Sequence, residues 1–273
     1  VEKSVADRAI LCLFLLSFGL CGAPADPISD NERILALSAT LALQSQLLEK
    51  ARAANSDLYS TLKSFVCREE IQRFKGGLSG SDGRPIDRVS ANLSFENGTE
   101  RYFDILQNNR NRPSLSAIEG AWSEGEFGTL LQQTSKLLET EAVTFVAAET
   151  LDGHPTSIYR FSVSADKSPW DLEVSPNHYR IPFTTDVWIS AETGEIVKIA
   201  RKSLAMPSET RISEIDWEVS LGTVDLNGQK WLLPALAEYS VSYTESNRRE
   251  WNRMVFSDYR HYGSESVLRF NGF

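Results

Sequence analysis

Residues able to do covalent or acid–base chemistry are few and scattered in this 273-residue sequence. Gly77-Leu78-Ser79-Gly80-Ser81 approaches the Gly-x-Ser-x-Gly elbow that lifts a nucleophilic serine out of a strand-to-helix turn. Its closing glycine is missing, and it lies in a polar stretch instead of between a strand and a helix. The three histidines fall in a hairpin turn (His154), a loop (His178) and a strand end (His261). That spacing brings no two of them to one metal ion, which needs convergent ligands. His-Glu-x-x-His, Cys-x-x-Cys and the phosphate-cradling Gly-Lys-Ser/Thr loop are absent. Asp216 and Glu218 share one side of an alternating strand, where paired carboxylates serve either acid–base work or solubility. Cys67, in Phe65-Val66-Cys67, reads as a small buried apolar side chain; a reactive thiol would need a base or cation beside it. No catalytic residue, metal ligand or cofactor site is assigned on these grounds.

The aromatic residues carry more information. Trp188, Trp217, Trp231, Tyr239, Tyr243, Trp251, Phe256 and Tyr259 all fall on expected strands. Strands favour aromatics for packing alone. The same residues also suit a ligand cavity inside an incompletely closed barrel, since a curved sheet roofed by a helix leaves such a space.

The elements that would position them change period at Phe65. Before it, residues 26–63 read as helix: Ser29 and Glu32 form a capping box, and Ile34, Leu37, Leu41, Leu48, Leu58 and Leu62 make an apolar stripe that must lie on something. After it, side chains alternate. Val89, Ala91, Leu93 and Phe95 share one face of a strand that turns at Asn97-Gly98, a strong hairpin signal. Val143–Thr150 and Thr156–Val163 flank Asp152-Gly153. Asp186–Ser190 and Ile196–Lys202 flank Thr193-Gly194. Ile215–Leu221 leads through Asn227-Gly228 to Lys230–Leu233, and further strands follow at Ala237–Tyr243, Glu250–His261 and Ser266–Phe270. About ten short strands with tight turns make an antiparallel meander, and a sheet of that width curls or closes. Residues 76–87 read as a mobile loop, 167–180 as a second long loop, and a short helix is expected near 123–138. The fold class is therefore α+β, mainly antiparallel β: a curved or unclosed half-barrel over 64–273 with an N-terminal helix packed on it.

Charge and the N-terminus bound the setting. Lys3 and Arg8 precede the apolar run Ala9–Leu20, and small residues end in Ala23-Pro24-Ala25. That order is a secretory signal peptide, and the run is shorter than the roughly 20 residues of a membrane span. Cleavage is expected near Ala25, leaving a periplasmic or secreted chain without a membrane span; Cys21 follows Leu20, where a lipidated cysteine wants a small residue. The net charge of −9 is unchanged by that cleavage, because two acids and two bases leave together. Such a chain does not suit nucleic-acid phosphates.

Two resemblances follow from particular residues. Phe65-Val66-Cys67, Val187-Trp188-Ile189 with Thr193-Gly194, and the tail from Asn252 to Tyr262 resemble a group of uncharacterised exported proteins of Acidobacteria. More distantly, Asp152-Gly153-His154-Pro155 before a Tyr-x-Phe strand, the Trp-Ile strand with its Thr-Gly turn, Asn227-Gly228 and Leu233-Pro234 are similar to the LolA-like lipoprotein carriers. That resemblance implies an unclosed β-barrel with helices over its concave side and an acyl cargo. The expected function is a binding protein that holds a lipid, lipoprotein or other hydrophobic molecule, with Val89, Leu93, Tyr159, Phe161, Trp217 and Tyr239 lining the cavity. The alternatives are a non-catalytic envelope module with a fully packed core and, third, a hydrolase with an unrecognised site.

Overall fold

The computed structural model describes residues 30–56, 62, 65–78, 83–96, 98–244 and 247–261. The expected leader with Cys21, Ser29, Leu58, Ser79, Asn97 and the expected strand at 266–270 lie outside them, as do the side chains of Glu32 and Ile34. The chain divides into two units after Ala42. Helix α1 (Asp30–Asn55) crosses that boundary. In the first unit Leu35, Leu37 and Leu41 are exposed. In the second, Leu47 and Leu48 pack partly against the core, and Ala51 and Leu62 are fully buried.

Eleven strands form one antiparallel open sheet in the order β4-β3-β2-β1-β13-β12-β11-β10-β9-β6-β5, and β7 and β8 make a separate two-stranded ribbon. The sheet is mostly a meander, as alternation and turns predict. The exception is β13 (Arg249–His261), the last strand described, which runs between β1 (Phe65–Gly76) and β12 (Gln229–Tyr243). Among the described residues it is the link between β1–β4 and the rest of the sheet.

Three segments differ from the sequence reading. β2 spans Arg84–Glu96, so residues 84–87 are strand where a loop was expected. Asp87 there pairs across the ladder with Arg73. The expected second loop contains β7 (Asp171–Val174) and β8 (Asn177–Arg180). β12 continues through Pro234 as one strand, with a register shift at Ser220/Leu221 of its partner β11 (Ile212–Leu226). The second helix, α2, runs Thr129–Thr140. The residues before it form an irregular strap, because Gly125 has φ +121 and Gly128 lies against the Phe95 ring.

The remaining strands are β3 (Thr99–Gln107), β4 (Arg110–Asn111), β5 (Thr144–Leu151), β6 (His154–Val163), β9 (Phe183–Ser190) and β10 (Ile196–Ser203). Burial alternates along central strands such as β1 and β9, which leaves one face of the sheet covered and the other wet. Four pieces cover the inner face: the strap 112–128, α2, the segment around Trp170 and Ile181, and α1 from Gln44 onward. Tyr159 donates to the Gln44 carbonyl at 2.7 Å, and Arg52 to the Leu138 carbonyl at 2.9 Å. Asn55 is buried: its amide donates to the Gly194 carbonyl at 3.1 Å and its oxygen accepts from the Ile196 amide at 3.1 Å.

Candidate functional site: the covered face of the sheet

Register sorts the covered face into rows. One row is apolar from β2 to β6: Val89, Ile71, Met254, Ala237, Val219, Ile199, Val187 and Tyr159 are successive cross-strand neighbours, all buried. The next row is Asp87, Arg73, Asn252, Tyr239, Trp217, Arg201, Thr185 and Phe161. The six residues expected to line a cavity therefore share this face. Val89 and Tyr159 stand in the first row, Tyr239, Trp217 and Phe161 in the second, and Leu93 sits between Cys67 and Tyr102. All six belong to one continuous core, and none is more than 6% exposed.

Polar ties fasten the strap over these rows. Arg73 holds Asp87 through two bonds of 2.7 Å and donates to the Glu119 carbonyl at 2.7 Å, while its guanidinium lies 4.3 Å from the Trp122 ring centre. Glu250 accepts from the Ala121 amide at 3.1 Å, and Asn252 donates to the Ala121 carbonyl at 2.9 Å. At the other end Glu100 accepts from the amides of Gly125, Gly128 and Thr129, at 3.0, 2.8 and 3.2 Å, and from the Tyr102 hydroxyl at 2.6 Å. Those amides open α2, where a carboxylate is well placed against the helix dipole.

Between the strap and the sheet lie carboxyl groups that their neighbours do not fully satisfy. Glu69 on β1 and Glu126 on the strap are each 1% exposed. Glu69 Oε2 and both carboxylate oxygens of Glu126 have no hydrogen-bond partner. Burial, then repulsion from Glu100, pushes Glu126 up to about 8. Burial, then repulsion from Glu126 and Glu100, raises Glu69 well above the usual carboxylate range. Glu100 is raised too, since burial outweighs its four donors. Burial thus favours the protonated form of both Glu69 and Glu126. Burial also raises the Cys67 thiol, with Glu69 and Glu100 adding to it, so the cysteine is an inert core side chain.

Arg201, on β10, is 1% exposed and enclosed by rings. Its guanidinium carbon lies 4.1 Å from the Phe183 ring centre, 5.9 Å from Trp217 and 6.0 Å from Trp170. Nη1 donates to Gln133 of α2 at 3.0 Å and Nε to Thr185 at 3.4 Å; Nη2 has no partner. Among the described residues no carboxylate pairs with it, and burial lowers its pKa to about 9.

Two clefts touch the second of these rows, one along Tyr239, Trp217 and Arg201 and the other at Arg73 and Asp87. A trough of about 380 Å³ on the wet face is bordered by ion pairs such as Arg160–Asp186 and Lys202–Asp216. A cleft of about 800 Å³ at the sheet's end is bordered by Arg73, Lys75, Arg112 and Glu119. Neither borders Glu69, Glu100 or Glu126. Among the described residues no group of three histidine, cysteine or acidic side chains is placed to hold a metal ion. His154 is exposed, His178 pairs with Asp171 at 2.7 Å, and the His261 ring packs against both Phe65 and Trp231.

The sequence reading missed Glu69, Arg73, Glu100, Glu126 and Arg201. For the strand residues a signal was present: Glu69 and Arg73 share parity with Phe65, Cys67 and Ile71, and Arg201 with Ile199. For Glu126 no periodicity exists.

No family model matches the chain, and no curated protein matches it. Among solved structures it is similar to a DUF1329 family protein from Desulfovibrio piger, at 9% identity and TM-score 0.39, over 80% of this chain and 92% of that one. It is also similar to a domain described as an outer membrane lipoprotein-sorting protein from Vibrio parahaemolyticus, at 8% identity and TM-score 0.41, over 82% and 96%. A third likeness is to the MucA/MucB complex of Pseudomonas aeruginosa, at 9% identity and TM-score 0.22, over 78% and 99%. Superpositions this loose set no constraint on ligand or partner. No helix among the described residues is long and apolar enough to cross a membrane.

Proposed function

We propose that this is a non-catalytic periplasmic or secreted binding protein that holds a lipid, lipoprotein acyl group or other hydrophobic molecule on the covered face of its half-barrel. The observation that carries the reading is the cover. Hydrogen bonds donated by Arg73 and Asn252 and accepted by Glu250 and Glu100 tie the strap at both ends. Beneath the cover, Glu69, Glu126, Trp217 and Arg201 keep buried polar atoms without partners. A permanently packed core satisfies such atoms; a face that opens to a guest has reason to keep them. In this reading the strap and α2 lift, and an acyl chain takes their place along the apolar row. Each buried methylene would contribute about 0.8 kcal/mol, against the cost of parting the cover. Val89, Leu93, Tyr159, Phe161, Trp217 and Tyr239 would contact the guest.

A second reading has its own support. Val89 and Leu93 are 0% exposed and Phe161 2%, as in an envelope interaction module that never opens. Native mass spectrometry of protein purified without detergent separates the two. Extra mass lost on denaturation, together with saturable binding of 1-aminoanthracene, is the expected result. A clean mass with no saturable binding leaves the packed module.

A further inference from the structure

Arg201 is the most anomalous residue of the covered face. A buried guanidinium without a counter-ion is costly, and proteins pair or hydrogen-bond such groups. Arg201 uses one nitrogen on Gln133 and one on Thr185 and leaves Nη2 without a partner. Its cross-strand neighbour Trp217 has an unpartnered indole N–H. Thr134, next to Gln133 on α2 and 0% exposed, has an unpartnered hydroxyl. Besides Arg201 Nη2, two further donors are thus left over on the elements that flank this cation, one on β11 and one on α2, and among the described residues no carboxylate pairs with it.

We propose that Arg201, Trp217 and Thr134 form a subsite for the oxyanion head, carboxylate or phosphate, of an amphiphilic ligand. The inference rests on the binding-protein reading above and names the chemical class of its guest. Arg supplies a planar fork for an oxyanion, and Trp N–H and Thr O–H complete its shell. The aromatic walls exclude water, which strengthens the pairing. The tail has a path: Ile199 and Val219 of the apolar row lie two residues along the same strands from Arg201 and Trp217, about 7 Å away.

The test compares dodecanol, laurate and dodecyl phosphate, each below its micelle concentration, by calorimetry and tryptophan fluorescence on the purified protein and on Arg201→Met and Thr134→Val. Both anionic probes, or one of them, should bind at least about tenfold tighter than dodecanol, and the tighter one identifies the head group. Arg201→Met should erase that preference while dodecanol binding persists, and Thr134→Val should reduce it several-fold. Without any probe Arg201→Met should melt higher than the parent, because an unpaired buried charge is gone; this shows that the variant folds. Equal affinities in the parent, or a preference that survives Arg201→Met, overturn the subsite and leave the binding function standing. Failure of all three probes to bind overturns both.

Discussion

Replacing Glu126 by Gln should abolish much of the protein's sensitivity to alkaline pH. In the folded chain burial and the neighbouring Glu100 move this carboxyl from its ordinary 4.5 up to about 8. The unfolded chain releases the proton near the ordinary value, so between the two the folded state binds more protons and stability falls as pH rises. From 4.5 to about 8, at about 1.36 kcal/mol per pH unit, the loss from this one group is at most about 5 kcal/mol. Gln keeps the shape and cannot ionise. Glu126→Gln should therefore match the parent at pH 5 and exceed it by several kcal/mol at pH 9. Glu69 and Glu100 lie on the same side of the balance, so a shallower decline should remain in the variant. Urea unfolding followed by tryptophan fluorescence at pH 5, 7 and 9 reads the difference directly. Parallel pH curves for parent and variant would refute the assignment of a buried, protonated Glu126.

Glu100→Ala removes an acceptor from three amides and a phenol; a loss of about 3 kcal/mol or more is expected, with faster hydrogen exchange at Gly125, Gly128 and Thr129. Asp87→Ala strands the buried Arg73 and should cost about 3–5 kcal/mol, whereas Asp87→Ala with Arg73→Met should cost less, which a double-mutant cycle of urea midpoints measures. Gly128→Val places a Cβ 2.7 Å from the Phe95 ring; it should destabilise by about 2–3 kcal/mol, and Phe95→Leu should restore part of the loss.

Local alternation made the strand faces legible. Parity groups Val89 with Leu93 within one strand and Tyr159 with Phe161 within another; that these strands and those of Trp217 and Tyr239 turn the same side inward follows only from the register. Asn227 and Gly228, at φ 56 and 83, form the turn their sequence announces. What stayed hidden depended on partners far away in the chain. Arg84–Asp87 carries proline and charge and looks like loop; it is strand because Asp87 reaches Arg73 and pairs with it. β12 looked broken at Pro234, yet the ladder of β11 carries it through, pairing Pro234 with Leu221. The acids and Arg201 stayed hidden because a polar side chain on an alternating strand reads as wet until a cover is known to lie over it. For Glu126 even that clue was missing, since the strap has no period.

The position of β13 has a consequence for how the chain comes to be folded. The ladder from β1 to β4 and the ladder from β5 to β12 meet through residues 249–261. During synthesis at about 5–20 residues per second, the early strands wait on the order of ten seconds for the segment that joins them to the later ones. Throughout that interval β1 has an open edge, with Glu69 and Arg73 not yet enclosed. A chain ending before Arg249 would leave the two ladders unjoined. An open β1 edge is also where the β13 of a second copy would pair in a strand-exchanged dimer, in competition with the favoured pairing within one chain.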